Sequence, residues 1–261
     1  MILDQFKLNG KRALVCGASQ GIGRAIAVAF SQAGAELVVL ARTEEKLAAL
    51  KRELAPGKVE IAVCDLENHA ELETKLRGLI SLENPVHILI NNAAGPAPGP
   101  IIDAKPEAFL QAFQRHILAG QLLTRLCLPG MSKCGYGRIL NIISTSVREP
   151  IVNLGVSNTI RGAMASWAKT LASELPPGVT INNILPGYTD TPRLDSLKKA
   201  TAEKKKISLD LVVTEWAQAI PEGRIARPEE IAAAALYLAS PAAAYVRGIS
   251  LAVDGGRGRS L

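Results

Sequence analysis

Residues 17–23, "GASQGIG", place Gly17, Gly21 and Gly23 directly behind the apolar run "RALVC" and ahead of the helical pattern "GRAIAVAFSQAG". The spacing differs from the common G-x-G-x-x-G turn, but the physical task is the same. Glycine reaches positive φ and lets the backbone approach a diphosphate, while a helix N-terminus favours negative charge. Ser19 and Ile22 complete that turn. A second feature stands at the end of the next apolar run, "ELVVLA". A site for NAD usually carries an acidic residue there for the ribose hydroxyls. This chain has Ala41 followed by Arg42. A guanidinium pairs with a 2′-phosphate through two parallel hydrogen bonds, so these residues point to NADP(H) over NAD(H). The structural alternatives are a tight turn and a surface arginine opening a helix.

Such a turn works only when a strand and a helix hold it. The chain supplies seven apolar, strand-like runs: "RALVC", "ELVVLAR", "KVEIAVCDL", "VHILINNAAG", "GRILNIIS", "VTINNILPG" and "ISLAVDGG". Helical patterns lie between them, and Thr43 is placed to cap the helix "TEEKLAALKREL". One uninterrupted helix is predicted through "PEAFLQAFQRHILAGQLLTRLCLPGM", and another from Thr159 through "TIRGAMASWAKTLASEL". Strands alternating with helices imply right-handed parallel crossovers. The expected fold is therefore a single-domain, doubly wound α/β sheet of Rossmann type with three α/β/α layers. Residues 188–221 are more polar and lysine-rich than their surroundings. They read as a lid-like insertion at the carboxyl edge of the sheet, where ligands bind in such folds, or as a surface excursion without function.

Composition agrees with this architecture. The 261 residues are 48% apolar but only 4% aromatic, which suits buried parallel strands of Ala, Val, Leu and Ile covered by helices. The formal charge of +6 raises the possibility of nucleic acid binding, but no basic stripe is interleaved with aromatics. Cys16, Cys64, Cys127 and Cys134 form no C-x-x-C pair; they read as buried free thiols in a reducing compartment, with no metal site. No signal-peptide pattern and no membrane-length apolar run is present, so a cytoplasmic location is expected.

Over its whole length the chain resembles the short-chain dehydrogenase/reductase family. The motifs are "CGASQGIG", "CDL" at 64–66, "NNAAG" at 91–95, "NIIS" ending at Ser144, "NNILPGYTDTP" and "YVRGISLAVDGG". The general look is closest to bacterial oxoacyl-carrier-protein reductases and to sugar or alcohol dehydrogenases of that family. The resemblance implies that Asp65 and Leu66 lie by the adenine, that Asn91 and Ala93 line the cofactor groove, and that Pro186, Gly187 and Thr191 surround the nicotinamide. It also implies homodimers or homotetramers built on helices 106–130 and about 158–175 and on the tail strand.

The family's proton machinery is Asn, Ser, Tyr and Lys, and here the pattern breaks. Ser144 matches the serine, and the tyrosine is due thirteen residues later, where this chain has Ser157. Arg161 then falls on the lysine and His116 on the asparagine. A phenol starts near pKa 10 and can be brought toward neutrality, whereas an alcohol ionises at roughly 15–16. Bringing Ser157 to neutrality would need on the order of 11 kcal/mol at about 1.36 kcal/mol per decade, more than one cation in a wet cleft supplies. Arg161 stays charged and passes no proton, but it can hold ribose hydroxyls and stabilise a developing alkoxide. Ser144 can polarise a carbonyl. The remaining proton donors are His116, whose ordinary pKa lies near 6.5, and Tyr188, which follows Pro186 and Gly187. Their structural alternatives are a packed histidine and a lid aromatic.

Two readings follow. The first is an NADP(H)-dependent oxidoreductase with an atypical active site, reducing a carbonyl (3-oxoacyl groups among the candidates) or oxidising an alcohol. The second is a non-catalytic NADP(H)-binding protein with a regulatory or assembly role. The expected partners are a small carbonyl or alcohol and further copies of this chain, with no nucleic acid and no membrane. An apolar floor for an acyl chain is predicted from Leu209, Leu211, Val212, Val213 and Trp216, a pattern that helix packing also explains.

Overall fold

The computed structural model describes residues 1–54 and 57–260. Seven strands alternate with nine α-helices among the described residues. They are β1 (Arg12–Cys16), α1 (Gly21–Gln32), β2 (Glu36–Ala41), α2 (Glu44–Glu53), β3 (Val59–Val63), α3 (His69–Arg77), β4 (Ile88–Asn91), α4 (Pro106–Phe113), α5 (Ala119–Lys133), β5 (Gly137–Ile142), α6 (Gly155–Glu174), β6 (Val179–Pro186), α7 (Pro192–Lys205), α8 (Leu209–Gln218), α9 (Pro228–Ala239) and β7 (Ser250–Val253). The sheet is wholly parallel, in the order β3-β2-β1-β4-β5-β6-β7. Its order reverses between β1 and β4, and a crevice opens beyond their carboxyl ends.

Period-two alternation assigns each strand residue to a layer. Ala13 and Val15 join Ile26 and Phe30 of α1 and Ile231 and Leu238 of α9. Leu14 and Cys16 point the other way, toward Leu72 of α3, Leu123 and Met131 of α5 and Ala168 of α6. Both faces are covered, so β1, β5 and β6 are buried at every residue.

Four expectations need correction. The long helix is not continuous: residues Gln114–Leu118 form one wide π turn between α4 and α5. The carbonyl of Gln114 there accepts a hydrogen bond from His69 Nε2 at 3.0 Å. Helix α6 begins four residues early, at Gly155, because a glycine fits against Ile101; a β-carbon there would lie 2.4 Å from Ile101 Cβ. Thr43 occupies the cap position of α2 without making the side-chain bond. Of the cysteines, Cys134 is exposed and the other three are buried.

The lid-like segment 188–221 is built chiefly of two helices, α7 and α8. Its base is fastened by Tyr188 and Asp190 to Ala226. Two side-chain hydrogen bonds carry it across the crevice: Arg193 Nη2 to the Pro96 carbonyl at 2.6 Å, and Lys204 Nζ to Asn153 Oδ1 at 3.1 Å.

Candidate active site

One continuous cleft of about 1520 Å³ runs along the carboxyl edge, larger than the roughly 300–1,000 Å³ that houses a drug-sized ligand. Gly17, Ser19, Gly21 and Ile22 line one end; Ser144, Ser157 and Tyr188 line the other.

The glycine turn is shaped as its composition requires. Gly17 and Gly21 have φ of +62° and +55°. Gly23 does not line the cleft; a β-carbon there would stand 2.2 Å from the Gly17 carbonyl, so its task is to seat α1 against the turn. Asn92 Nδ2 donates to the Cys16 carbonyl at 3.1 Å and pins the turn from the β4 side. No acidic residue occupies the first turn of α1, and Gln20 makes no side-chain cap, which leaves the helix N-terminus open to an anion.

Beside it, Ala41 is small and buried, and Arg42 projects with 68% of its side chain exposed. Arg42 Nη1 stands 3.5 Å from Asp65 Oδ2. Thr43 and Lys46 line the same corner and extend the expected set. Lys46 lies in the first turn of the helix after Arg42, a signal that was available in sequence. Cys64, Asp65 and Leu66 form the adjoining wall. This corner presents two cations and a hydroxyl, a donor set that fits a phosphate monoester, and the open α1 N-terminus next to it fits a diphosphate.

At mid-cleft, Ala93, Ala94 and Gly95 line the wall, but Asn91 does not. Its Nδ2 donates to Asn141 Oδ1, Asn141 donates to Asn183 Oδ1, and Asn183 donates to Ser250 Oγ, at 2.8, 2.8 and 3.1 Å. These residues are register partners on β4, β5, β6 and β7, so Asn91 belongs to an amide ladder inside the sheet. The motif "NN" therefore splits its work between sheet and turn.

The Ser144–Tyr188 end of the cleft carries the buried cation Arg161. Ser144 Oγ accepts from the Ser146 N–H at 3.1 Å. Ser157 and Arg161 lie one turn apart on α6 and are 9% and 8% exposed. Arg161 donates through Nη1 to the Ile142 carbonyl at 2.6 Å and through Nη2 to the Ala93 carbonyl at 3.4 Å. Burial, then repulsion from Arg193, pushes Arg161 down to about 10, which leaves it charged at neutral pH.

His116 sits in the π turn, 7% exposed, and does not line the cleft. With Asn91, Ala93 and Met164 it lines a separate small cavity beneath, where its Nε2 has no hydrogen-bond partner. Burial first, then Arg161 and Arg115, hold its pKa well below the ordinary value, so it is a neutral, packed group. Of its two readings, the burial of His116 and its place outside the cleft favour the packed histidine over the proton donor. Tyr188 does line the cleft; its ring stacks on Trp216 with centroids 4.6 Å apart and planes 12° apart. The Arg257 guanidinium carbon lies 4.6 Å from the Tyr188 centroid. Pro186, Gly187 and Thr191 line the cleft beside it.

The predicted apolar floor reduces to Trp216. Val212 is buried against its own surroundings, and Leu209 and Leu211 are exposed away from the cleft, because α8 turns those residues outward. Arg257, Gly258 and Ser260 of the C-terminal tail take part instead. Arg148 ties that tail to β7 by donating to the Ser260 and Ser250 carbonyls, and Glu149 accepts the Arg259 N–H. No periodic signal in the sequence marks a tail that folds back in this way.

Known proteins resemble this chain in sequence and fold. The family model described as "Enoyl-(Acyl carrier protein) reductase" matches residues 17–257. An uncharacterized oxidoreductase of Mycobacterium tuberculosis is 33% identical over 260 residues, covering 98% of this chain and 95% of that protein. The 3-oxoacyl-[acyl-carrier-protein] reductase of Vibrio cholerae is 33% identical, covering 95% and 98%. The solved structure of L-sorbose reductase from Gluconobacter frateurii, complexed with NADPH and L-sorbose, superposes with a TM-score of 0.91 at 28% identity, covering 98% and 100%.

Proposed function

The chain belongs to the short-chain dehydrogenase/reductase family, and on that premise we propose that it is an NADP(H)-dependent oxidoreductase acting on a carbonyl or alcohol. The observation that carries this reading is the single cleft joining the Arg42 corner and the glycine turn to Ser144, Ser157 and Tyr188. The cleft offers groups suited to the cofactor's phosphates: Arg42, Thr43 and Lys46 would hold a 2′-phosphate, and the open N-terminus of α1 a diphosphate.

NADP(H), when bound, supplies or accepts the hydride. The chain's own residues prepare the rest. Ser144 directs a hydroxyl at the carbonyl oxygen. Arg161 contributes a fixed positive charge in a nearly dry position, where it stabilises developing negative charge on the substrate oxygen more effectively than in water. Ser157 leaves room where the family has a ring and transfers no proton. Tyr188 is the phenol lining the cleft among the described residues, and we assign it the proton. Helices α7 and α8 act as a lid that excludes water.

The test is NADPH oxidation by the purified protein with a panel of ketones and oxoacyl thioesters. Turnover with any member supports the reading. Tight NADPH binding with no turnover across the panel rejects it in favour of the non-catalytic alternative, which the replacement of the phenol by Ser157 favours.

A further inference from the structure

Between the glycine turn and the Ser144–Tyr188 end, the cation already described on α6 meets a second one from the lid. Arg161 on α6 and Arg193 on α7 converge above Gly95. A β-carbon built on Gly95 would lie 3.7 Å from Arg161 Nη2 and 3.6 Å from Arg193 Nη2. Both residues line the cleft, and glycine leaves the space between them open. Neither guanidinium has a carboxylate partner among the described residues. Arg161 donates only to the carbonyls of Ile142 and Ala93, and Arg193 only to that of Pro96. Each guanidinium carries five N–H donors, so most are left for another acceptor.

Two like charges sharing a buried space raise each other's energy, and a buried charge needs a counter-charge. The cleft's carboxylates are committed elsewhere. Asp65 faces Arg42, Glu149 takes the Arg259 N–H, and Asp254 caps the N–H groups of Gly256 and Gly258. Arg193 is also the second residue of α7, so the positive end of that helix adds to the field. Thr191 and Pro192, just before it, pack over Gly21 and make the location continuous with the nucleotide turn.

We propose that Arg161 and Arg193 form an oxyanion clamp that closes α7 onto α6 around a diphosphate or carboxylate group. The proposal rests on the reading of this cleft as the ligand site but not on turnover. Two sources offer the chemistry: the diphosphate of the cofactor, or a carboxylate on the substrate. Arg193 Nη2 donates to the Pro96 carbonyl, and its remaining N–H groups would meet the anion.

The experiment is calorimetric titration of wild type, Arg193→Gln and Arg193→Lys with inorganic diphosphate, with NADPH, and with oxalate in the presence of saturating NADP⁺. Arg193 is changed because Arg161 is buried and its loss endangers folding; thermal melting checks that the variants are native. Wild type is expected to bind diphosphate or oxalate. Arg193→Gln is expected to weaken that binding at least tenfold, and Arg193→Lys to recover part of it. A parallel tenfold loss in NADPH affinity identifies the cofactor as the source. Unchanged NADPH affinity with lost oxalate binding identifies a substrate carboxylate. Natively folded Arg193→Gln that binds all three probes as wild type does overturns the clamp, as does wild type that binds neither diphosphate nor oxalate. Because no probe needs hydride transfer, failure of the oxidoreductase reading would not imitate either result.

Discussion

Arg42 is the residue on which cofactor choice turns. It is exposed, so a 2′-phosphate contact there is discounted for solvent relative to a buried pair. Arg42→Ala is expected to weaken NADPH by about 1–2 kcal/mol, roughly five- to thirtyfold, and to leave NADH unchanged. Fluorescence titration with both nucleotides checks this; an equal loss for both would contradict a phosphate-specific role. At the other end, Ser144→Ala is expected to lower turnover by about 10²-fold, the scale for one oxyanion donor, while Ser157→Ala changes it little. Loss of a robust activity in Ser157→Ala with NADPH still bound would make Ser157 the working group. His116 gives a pH prediction. Its folded pKa is depressed below the ordinary value by burial and by Arg161 and Arg115. Above pH ~6.5 both folded and unfolded forms are neutral, so nothing is gained or lost. As pH falls below ~6.5, only the unfolded chain takes the proton, and stability declines by up to about 1.4 kcal/mol per pH unit. Buried histidine removed as His116→Asn is expected to flatten the acid limb of urea unfolding measured between pH 6.5 and 4.5. His87, also depressed by burial, retains its share in that variant.

At the scale of elements, the fit of α1 against the glycine turn is the most constrained joint of the site. The β-carbon of Gly23→Ala would be placed 2.2 Å from the Gly17 carbonyl and 2.6 Å from Asn92 Nδ2. Neither can yield without opening the turn, because one is backbone and the other is hydrogen-bonded to Cys16. Gly23→Ala is therefore expected to cost about 1–3 kcal/mol of stability and to weaken NADPH, though the residue touches no ligand space. Thermal melting and nucleotide titration read the two effects, and a variant with wild-type values for both would remove the argument. The π turn between α4 and α5 is the other joint. It was hidden in a sequence with continuous helical propensity, since nothing from Pro106 to Leu128 breaks a helix by itself.

The whole molecule leaves an apolar surface around α4: Ile102 is 89% exposed, and Leu110, Phe113, Leu118 and Val152 are exposed near it. We propose that copies of this chain associate through this region and through α5 and α6 as a homodimer or homotetramer, as expected from the family. Light scattering at micromolar concentration is expected to give a multiple of 27.6 kDa; the monomer mass would contradict it. Among the described residues no helix is long and apolar enough to cross a membrane, and no cluster of His, Cys, Asp or Glu could hold a metal ion.

The alternation of apolar runs and helical patterns was enough to specify a parallel, doubly wound sheet, because each run reports only its own periodicity and the handedness of crossovers does the rest. The glycine turn and the Ala41–Arg42 pair were legible for the same reason: each is a local matter of backbone freedom or charge, whereas the expectation of a phenol at position 157 came from the family resemblance alone. Other assignments required knowing which side chains meet. Asn91 and Asn92 are neighbours in sequence, yet pleating sends one into a ladder across four strands and the other to the Gly17 turn. His116 has the intrinsic pKa of a proton donor, but its place beneath the cleft is fixed by the packing of the π turn near Arg161. Arg161 and Arg193 are separated by 32 positions and by β6, and only the crossover that returns α7 over the sheet brings their guanidinium groups to Gly95. Sequence periodicity determines the face a residue presents from its own element; the packing of one element on another determines what that face meets.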